Sequence, residues 1–307
     1  MGRPYQYAAS RLLDHEQLQE AAEDYPELFC PAGGLLVTVG IDVQHDRLAI
    51  TIRAFGRNEE SWQMFWGEID GDTADKQDDC WAALDKLVFQ SFKHERFGEI
   101  RAAAVSIDSG DGGTSNAVYH WARTRDKKYH RVQVNPIKGD SNDFGRKEIY
   151  TPPRQVEYAD SKRRTKADFF EVKLYFVGTH KAKDLIAKRL VGTSAYMHSC
   201  KNVRQDYWEQ VTAEVKAPSK KHVSKKAWQK RAGKSNEGLD TEVYALHAAH
   251  VMGMHKWNEK KWSTIEARLG QRTLFSEPGS SSTPEQLKPA RKKPRQPSQP
   301  AGSLLDS

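Results

Sequence analysis

The chain has 307 residues, of which 37% are hydrophobic and 29% charged, and its net charge is +7. That length supplies a sizeable core for one large domain or two small ones, while no apolar run approaches the length of a membrane span. The N-terminus lacks the order of a signal peptide, and Cys30, Cys80 and Cys200 form no CxxC pair, so the expectation is a soluble intracellular protein with reduced thiols.

Residues 1–30 read as a lead-in, helical in part over DHEQLQEAAEDY, and CPAGG then breaks the pattern. From residue 35 the period is two. Leu35, Val37, Val39, Ile41 and Val43 are apolar, while Leu36, Thr38, Gly40 and Asp42 between them are mostly small or polar. Leu48, Ile50, Ile52 and Ala54 form the apolar face of a second strand, and the aromatic-rich ESWQMFWGEI (60–69) a third, which makes an antiparallel meander. Helical spacing over 77–93 puts Trp81, Leu84, Leu87, Val88 and Phe92 on one stripe. IRAAAVSIDSGDGG then predicts a strand ending in an acidic, Gly-rich turn. A helix over 115–125, strands in HRVQVNPIKG and FFEVKLYFVG (169–178), and helices near 180–190 and 204–215 follow.

Residues 216–234, KAPSKKHVSKKAWQKRAGK, hold eight Lys/Arg and no acid, and predict a flexible loop. A last helix, roughly 236–254, starts where Ser235 or Asn236 can cap it. Ser, Pro, Gln, Lys and Gly dominate from about 271, including the basic KPARKKPR at 288–295. We expect a mostly disordered basic tail over 258–307 and one folded domain over 31–257. Strands, then alternating strands and helices, then helices imply an α/β fold with a mixed sheet, antiparallel at one edge and parallel further on.

Asp42 is an unusual residue for a strand. Asp108 in VSIDSG holds the matching place at the end of another apolar strand, and Asp240 lies in the first turn of the last helix. Taken singly, an Asp at a strand end begins a turn, and one at a helix start serves the dipole. Taken together, three carboxylates at element ends can converge over one sheet edge, where α/β sheets place ligands. Clustered carboxylates repel unless cations neutralise them. Hard divalent ions such as Mg²⁺ or Mn²⁺ suit oxygen ligands, and two such ions can hydrolyse a phosphodiester.

The segments VTVGIDVQHDRL, GRNEESW, IDSG, PIKG, DYWEQVTAE and NEGLDTEVYALHAA occur in this order. They resemble the C-terminal nuclease domain of the large terminase subunit of lambda-like tailed bacteriophages, over roughly residues 30–255. The resemblance implies a ribonuclease H-like fold and a metal-dependent endonuclease using two Mg²⁺ or Mn²⁺ ions. That enzyme cuts concatemeric double-stranded viral DNA during genome packaging in the host cytoplasm and leaves a 3′-hydroxyl. Its acidic site would fall on Asp42, Asp108 and Asp240. Asp46 belongs to the motif as a secondary candidate, either metal-facing or paired with Arg47. The small terminase subunit and portal or capsid proteins would be partners. A full-length subunit also carries an ATPase domain, yet this sequence has no G-x-x-x-x-G-K-[ST]. AGKS at 232–235 imitates its end, but Trp228 stands where the first Gly belongs. The chain is therefore expected to be a nuclease-domain fragment or a subunit whose motor is encoded separately.

The basic segment runs directly into the helix bearing Asp240. Lys220, Lys221, Lys225, Lys226, Lys230 and Arg231, with Trp228, are expected to grip a DNA backbone there. Lys162, Arg163 and Arg164 form a smaller cluster of the same kind. Lys138 in PIKG either touches phosphate or shapes a turn. His247 and His250 lack the HExxH glutamate and read as helix packing or surface. Two other readings stay open: a DNA-clamping and docking module of the packaging motor with latent nuclease activity, or a resolvase- or transposase-like nuclease.

Overall fold

The computed structural model describes residues 14–125, 131–139, 145–153, 172–192, 196–219 and 224–275. In chain order the elements are α1 (His15–Glu20), β1 (Phe29–Cys30), β2 (Leu36–Val43), β3 (Arg47–Phe55), β4 (Ser61–Asp70), α2 (Asp79–Val88), β5 (Phe92–His94), β6 (Gly98–Ile100), β7 (Ala102–Asp108), α3 (Ser115–Thr124), β8 (Gln133–Gly139) and β9 (Tyr175–Val177). They continue with α4 (Thr179–Leu190), β10 (Met197–His198), α5 (Asp206–Val211), β11 (Glu214–Pro218), β12 (Lys226–Lys230), α6 (Glu237–Val251) and α7 (Glu259–Phe275).

The main sheet runs β10-β4-β3-β2-β7-β8-β9. β2, β3 and β4 form the expected antiparallel meander. β7, β8 and β9 extend it in parallel. β2 is buried along its whole length, and the period-two pattern sorts its two faces. Val37, Val39, Ile41 and Val43 join Trp81, Leu84, Val118 and Trp121 in the main core.

The other face is the small, polar one, and α6 lies across it. Register places Thr38 beside Arg53, and Gly40 beside Thr51 and Ser106. Each of these residues serves the helix. Thr38 Oγ1 donates to the Ala245 carbonyl at 2.8 Å, and the Thr51 and Thr241 hydroxyls are 2.8 Å apart. Ser106 Oγ meets His247 Nδ1 at 2.8 Å. Arg53 Nε and Nη2 donate to the two Glu242 carboxylate oxygens at 2.6 and 2.9 Å. That pair is fully buried, so either partner left alone would be a costly bare charge. Gly40 is the point of closest approach. A Cβ there would stand 2.0 Å from the Thr241 carbonyl oxygen and 2.4 Å from the Ala245 nitrogen.

Two expectations change. The helix expected over 204–215 ends at Val211, and the supposed flexible loop holds a hairpin in which β11 pairs antiparallel with β12. Its register puts Glu214, Lys216, Lys226, Trp228 and Lys230 on one face. That face is anchored to α4, with Trp228 Nε1 donating to Asp184 Oδ1 at 2.9 Å and Lys216 pairing with the same carboxylate. The lysines masked a strand pattern because their ends stay in water while the ribbon rests on α4.

The segment expected as tail from 258 begins instead with α7. Trp262 and Leu269 bury its apolar stripe. Arg57 bonds Glu259 and Glu266, and Arg96 bonds Glu266, each at 2.7 Å. The compact unit runs to Leu274. Residues 276–307 lie outside the described residues.

Gly40→Ala is expected to lower stability by about 1–3 kcal/mol or more, because backbone rather than a flexible side chain opposes the added methyl. An unchanged urea midpoint would contradict this seating of α6.

Candidate nuclease site

Asp42 is the penultimate residue of β2 and Asp108 the last of β7, two adjacent parallel strands. Asp240 comes from the first turn of α6. The close seat at Gly40 brings that turn over the end of β2, so three remote carboxylates act on one another. Asp42 is held well above the usual carboxylate range by burial first, then by the charges of Asp240 and Asp108. Asp108 is pushed up to about 6 by burial and by Asp240, although the Gly110 and Ser109 amides and the Lys138 charge oppose the rise. Asp240 is raised by burial, with Lys183 pulling it back and Glu214 pushing it further.

Each carboxylate is also engaged by a donor of the protein. Asp42 Oδ2 accepts from Gln44 Nε2 at 2.6 Å, and Asp108 Oδ1 from the Gly110 amide at 3.1 Å. Asp240 Oδ2 accepts from Asn236 Nδ2 at 2.8 Å, and its Oδ1 lies 2.8 Å from Lys183 Nζ. Among the described residues, no three His, Cys, Asp or Glu side chains are grouped to hold one metal ion. The donor set is nevertheless all oxygen, recessed and mutually repulsive, which fits a hard divalent cation. Sharing one ion would require rotation of the carboxylates out of these bonds.

Asp46 takes the second of its two expected places. It is exposed and pairs with Arg47 Nη1 at 2.8 Å. Arg47 reaches across to Glu237 through Nε and Nη2, at 3.1 and 2.5 Å. It thereby joins the VQHDR turn to the NEGLD turn, which explains why both motifs carry charge beyond the aspartates. His45 sits on the rim, 3.1 Å from Asp111. His247 and His250 are both buried, and burial lowers each to about 3.

The basic residues divide. Lys138 and Lys230 stand close enough for their charges to act on Asp108 and Asp240 respectively. Lys226 is exposed on β12, and Lys225 and Arg231 flank that strand as exposed residues. Lys220, Lys221, Lys162, Arg163 and Arg164 lie outside the described residues. Trp228 is held by Asp184 and is not the loose side chain expected from the sequence.

Three site neighbours escaped the sequence reading. Tyr244 is buried and raised well above its ordinary range by burial, then by Asp108, Asp240 and Asp42 together. Its ring therefore lies in the field of all three carboxylates. Glu214 and Lys183 are buried against Asp240. Glu214 closes the motif DYWEQVTAE, which was a usable signal, whereas nothing around Lys183 distinguished it from a surface helix lysine.

The seven-stranded mixed sheet thus carries Asp42 and Asp108 at the ends of adjacent parallel strands, with Asp240 of α6 in their field. The model of one family, the endonuclease domain of the terminase large subunit gpA, matches residues 1–262, and the chain belongs to that family. It is similar to the large terminase subunit of Escherichia phage lambda, with 26% identity over 267 residues. The match covers 84% of this chain and 38% of the lambda subunit, so the chain spans well under half of that relative. A structure of RuvC from Thermus thermophilus is similar over 72% of this chain and 97% of its own, at 12% identity and a TM-score of 0.26. No helix among the described residues is long and apolar enough to cross a membrane.

The raised Asp108 carboxyl sets a pH dependence. Its folded value of about 6 exceeds an unfolded value of about 3.9, so the folded chain holds the proton more tightly. The stability this contributes is full below about pH 4 and is lost as pH rises through about 6. Melting temperature in chelator should fall over that window, and Asp108→Asn should flatten the fall. An equally steep fall in the variant would remove Asp108 as its source.

Proposed function

We propose that this domain hydrolyses phosphodiester bonds in double-stranded DNA, with Asp42, Asp108 and Asp240 holding divalent cations, Mg²⁺ or Mn²⁺. The observation that carries this reading is the mutual charge penalty of three carboxylates from β2, β7 and α6. Recessed like charges repel unless a proton or a cation neutralises them, and a bound divalent cation would relieve that penalty at neutral pH. The bound ions would supply an activated water and stabilise the leaving oxygen. The chain's own residues do the rest. Lys138 and Lys230 flank the carboxylates as phosphate partners, and the exposed lysines of the β11–β12 ribbon hold the DNA backbone. Arg47 and Glu237 lock the two motif turns in register.

The substrate we assign is concatemeric viral DNA, cut into genome units during packaging in the host cytoplasm. The small terminase subunit would direct the cut, and portal or capsid proteins would receive the DNA. These assignments rest on membership of the gpA endonuclease family. A second reading is favoured by one observation, that Asp42 and Asp240 are already bonded to protein donors. In it the isolated domain clamps DNA, and its nuclease activity stays latent until other parts of the packaging machine engage.

Plasmid incubated with the protein and Mn²⁺ should be nicked, and EDTA should stop the reaction. Asp42→Asn should reduce nicking to background while stability stays level or rises, because the substitution removes a repelling charge without changing shape. Undiminished nicking would take Asp42 out of the mechanism. A gel shift without any cleavage by the wild type would select the latent clamp. The double change Lys226→Ala, Lys230→Ala should weaken DNA binding for all sequences alike and lower the salt slope by about 1 per lysine that met a phosphate. An unaltered slope in fluorescence anisotropy would exclude the ribbon from the interface.

A further inference from the structure

Lys183 is an unusual lysine. It projects from α4, which also buries Ala182 and Ile186, and its side chain is only 9% exposed. Buried lysines are rare unless paired. Its Nζ lies 2.6 Å from Glu214 Oε1 and 2.8 Å from Asp240 Oδ1. Asn236 closes the ring, its Nδ2 donating to Glu214 Oε1 at 2.7 Å and to Asp240 Oδ2 at 2.8 Å. Three elements therefore meet at one ammonium group: α4 supplies the cation and β11 and α6 the carboxylates, while Asn236, the residue before α6, bridges the two carboxylates. The same contact ties the basic ribbon to the acidic site, because Glu214 is the first residue of β11.

The charges explain the arrangement. Asp42, Asp108, Asp240 and Glu214 bring four carboxylates to this end of the sheet. Lys183 is the cation in direct contact with two of them, whereas Lys138 and Lys230 act on them as neighbouring charges. Glu214 is almost entirely buried, at 5% exposure, so water cannot take over from the ammonium group. We propose that Lys183 is a resident cation of the site. It neutralises Asp240 and Glu214 so that the domain keeps its site folded before any metal ion arrives, and it thereby limits how strongly the site draws divalent ions. Lys183 is a positioning residue in this scheme, because it acts through Asp240. The inference rests on the divalent-cation reading of the three aspartates and extends it to Glu214, a carboxylate that a metal ion would reach once the lysine is removed.

The test is a Mn²⁺ titration followed by melting temperature and by calorimetric affinity, with no substrate present. In the wild type Mn²⁺ should raise the melting temperature. Lys183→Met should melt lower in chelator, show a larger Mn²⁺-induced rise, and bind Mn²⁺ about tenfold tighter or more, since a positive charge within contact distance has gone. Lys183→Arg should behave as wild type. The double change Lys183→Met, Glu214→Gln removes one charge of each sign and should bring the Mn²⁺ response back to the wild-type size. A Lys183→Met variant that folds only with Mn²⁺ would support the proposal. If that variant does not fold at all, the double variant decides: folding supports a charge role, and failure to fold overturns it in favour of packing. An equal or smaller Mn²⁺ rise in Lys183→Met overturns the proposal while leaving the aspartate site intact. A wild type that shows no Mn²⁺ response overturns the underlying metal reading, and the proposal with it.

Discussion

Helix α6 rests on β2 with no room for a methyl group between them. A Cβ on Gly40 would enter the backbone of the helix at Thr241 and Ala245, and this one approach governs the position of the site. With the helix backbone against the strand, the first turn of α6 overhangs the end of β2, and Asp240 comes into the field of Asp42 and Asp108. A helix standing at the usual distance of a bulky packed layer would carry Asp240 away from that edge. Gly40 serves here through its lack of a side chain rather than through any special backbone angle.

Close seating has a chemical price that the surrounding residues offset. Polar helix backbone and polar side chains are pressed onto a sheet, where ordinary packing would be apolar. Four of these groups find a partner set by position: Thr38 for the Ala245 carbonyl, Thr51 for Thr241, Ser106 for His247, and Arg53 for Glu242. A layer of leucines would bury α6 at least as stably and would tolerate sliding by a turn. Directional bonds do not. A shift along the helix axis would strand the buried Arg53–Glu242 pair, which costs more than the pair contributes when made. The polar face is therefore best understood as a register device, and what it keeps in register is the distance from Asp240 to the strand ends.

Much of this was legible in the sequence because it is local or periodic. Period two in residues 35–43 separated the core face from the face holding Thr38, Gly40 and Asp42, and the structure assigns those faces to the main core and to α6. The mixed sheet followed from the order of elements, and Trp81, Leu84, Leu87, Val88 and Phe92 of the 77–93 stripe are buried as read. The failures have physical causes. α7 was hidden because its stripe of Trp262 and Leu269 lies inside a run rich in charge, and its docking depends on Arg57 and Arg96 far back in the chain. The β11–β12 ribbon was hidden because lysines interrupt both of its strands, and a two-stranded ribbon takes its stability from the α4 surface beneath rather than from its own composition. Lys183 and Tyr244 were invisible as site residues for one reason. Their importance depends on what lies across a tertiary interface, and periodicity reports only which side of an element faces inward.

The same layout accounts for the uneven charge of the chain. Recessed carboxylates at a sheet edge repel a polyanion, so the proposed nuclease site needs attraction supplied from its rim. The ribbon sits at that rim, with Lys230 near Asp240, and Lys138 acts on Asp108 from the neighbouring parallel strand β8. The basic residues cannot fold over the carboxylates and cancel them, because Lys216 and Trp228 pin the ribbon to Asp184. Among the described lysines, Lys183 alone is buried, against Asp240 and Glu214. Cationic rim and anionic floor are thus kept apart by covalent geometry and a few anchoring bonds, and Lys183 is a point at which the two charge systems touch. Under the proposed function, a phosphate backbone approaching this edge would meet positive charge first and carboxylate oxygen second, the order in which binding must precede hydrolysis.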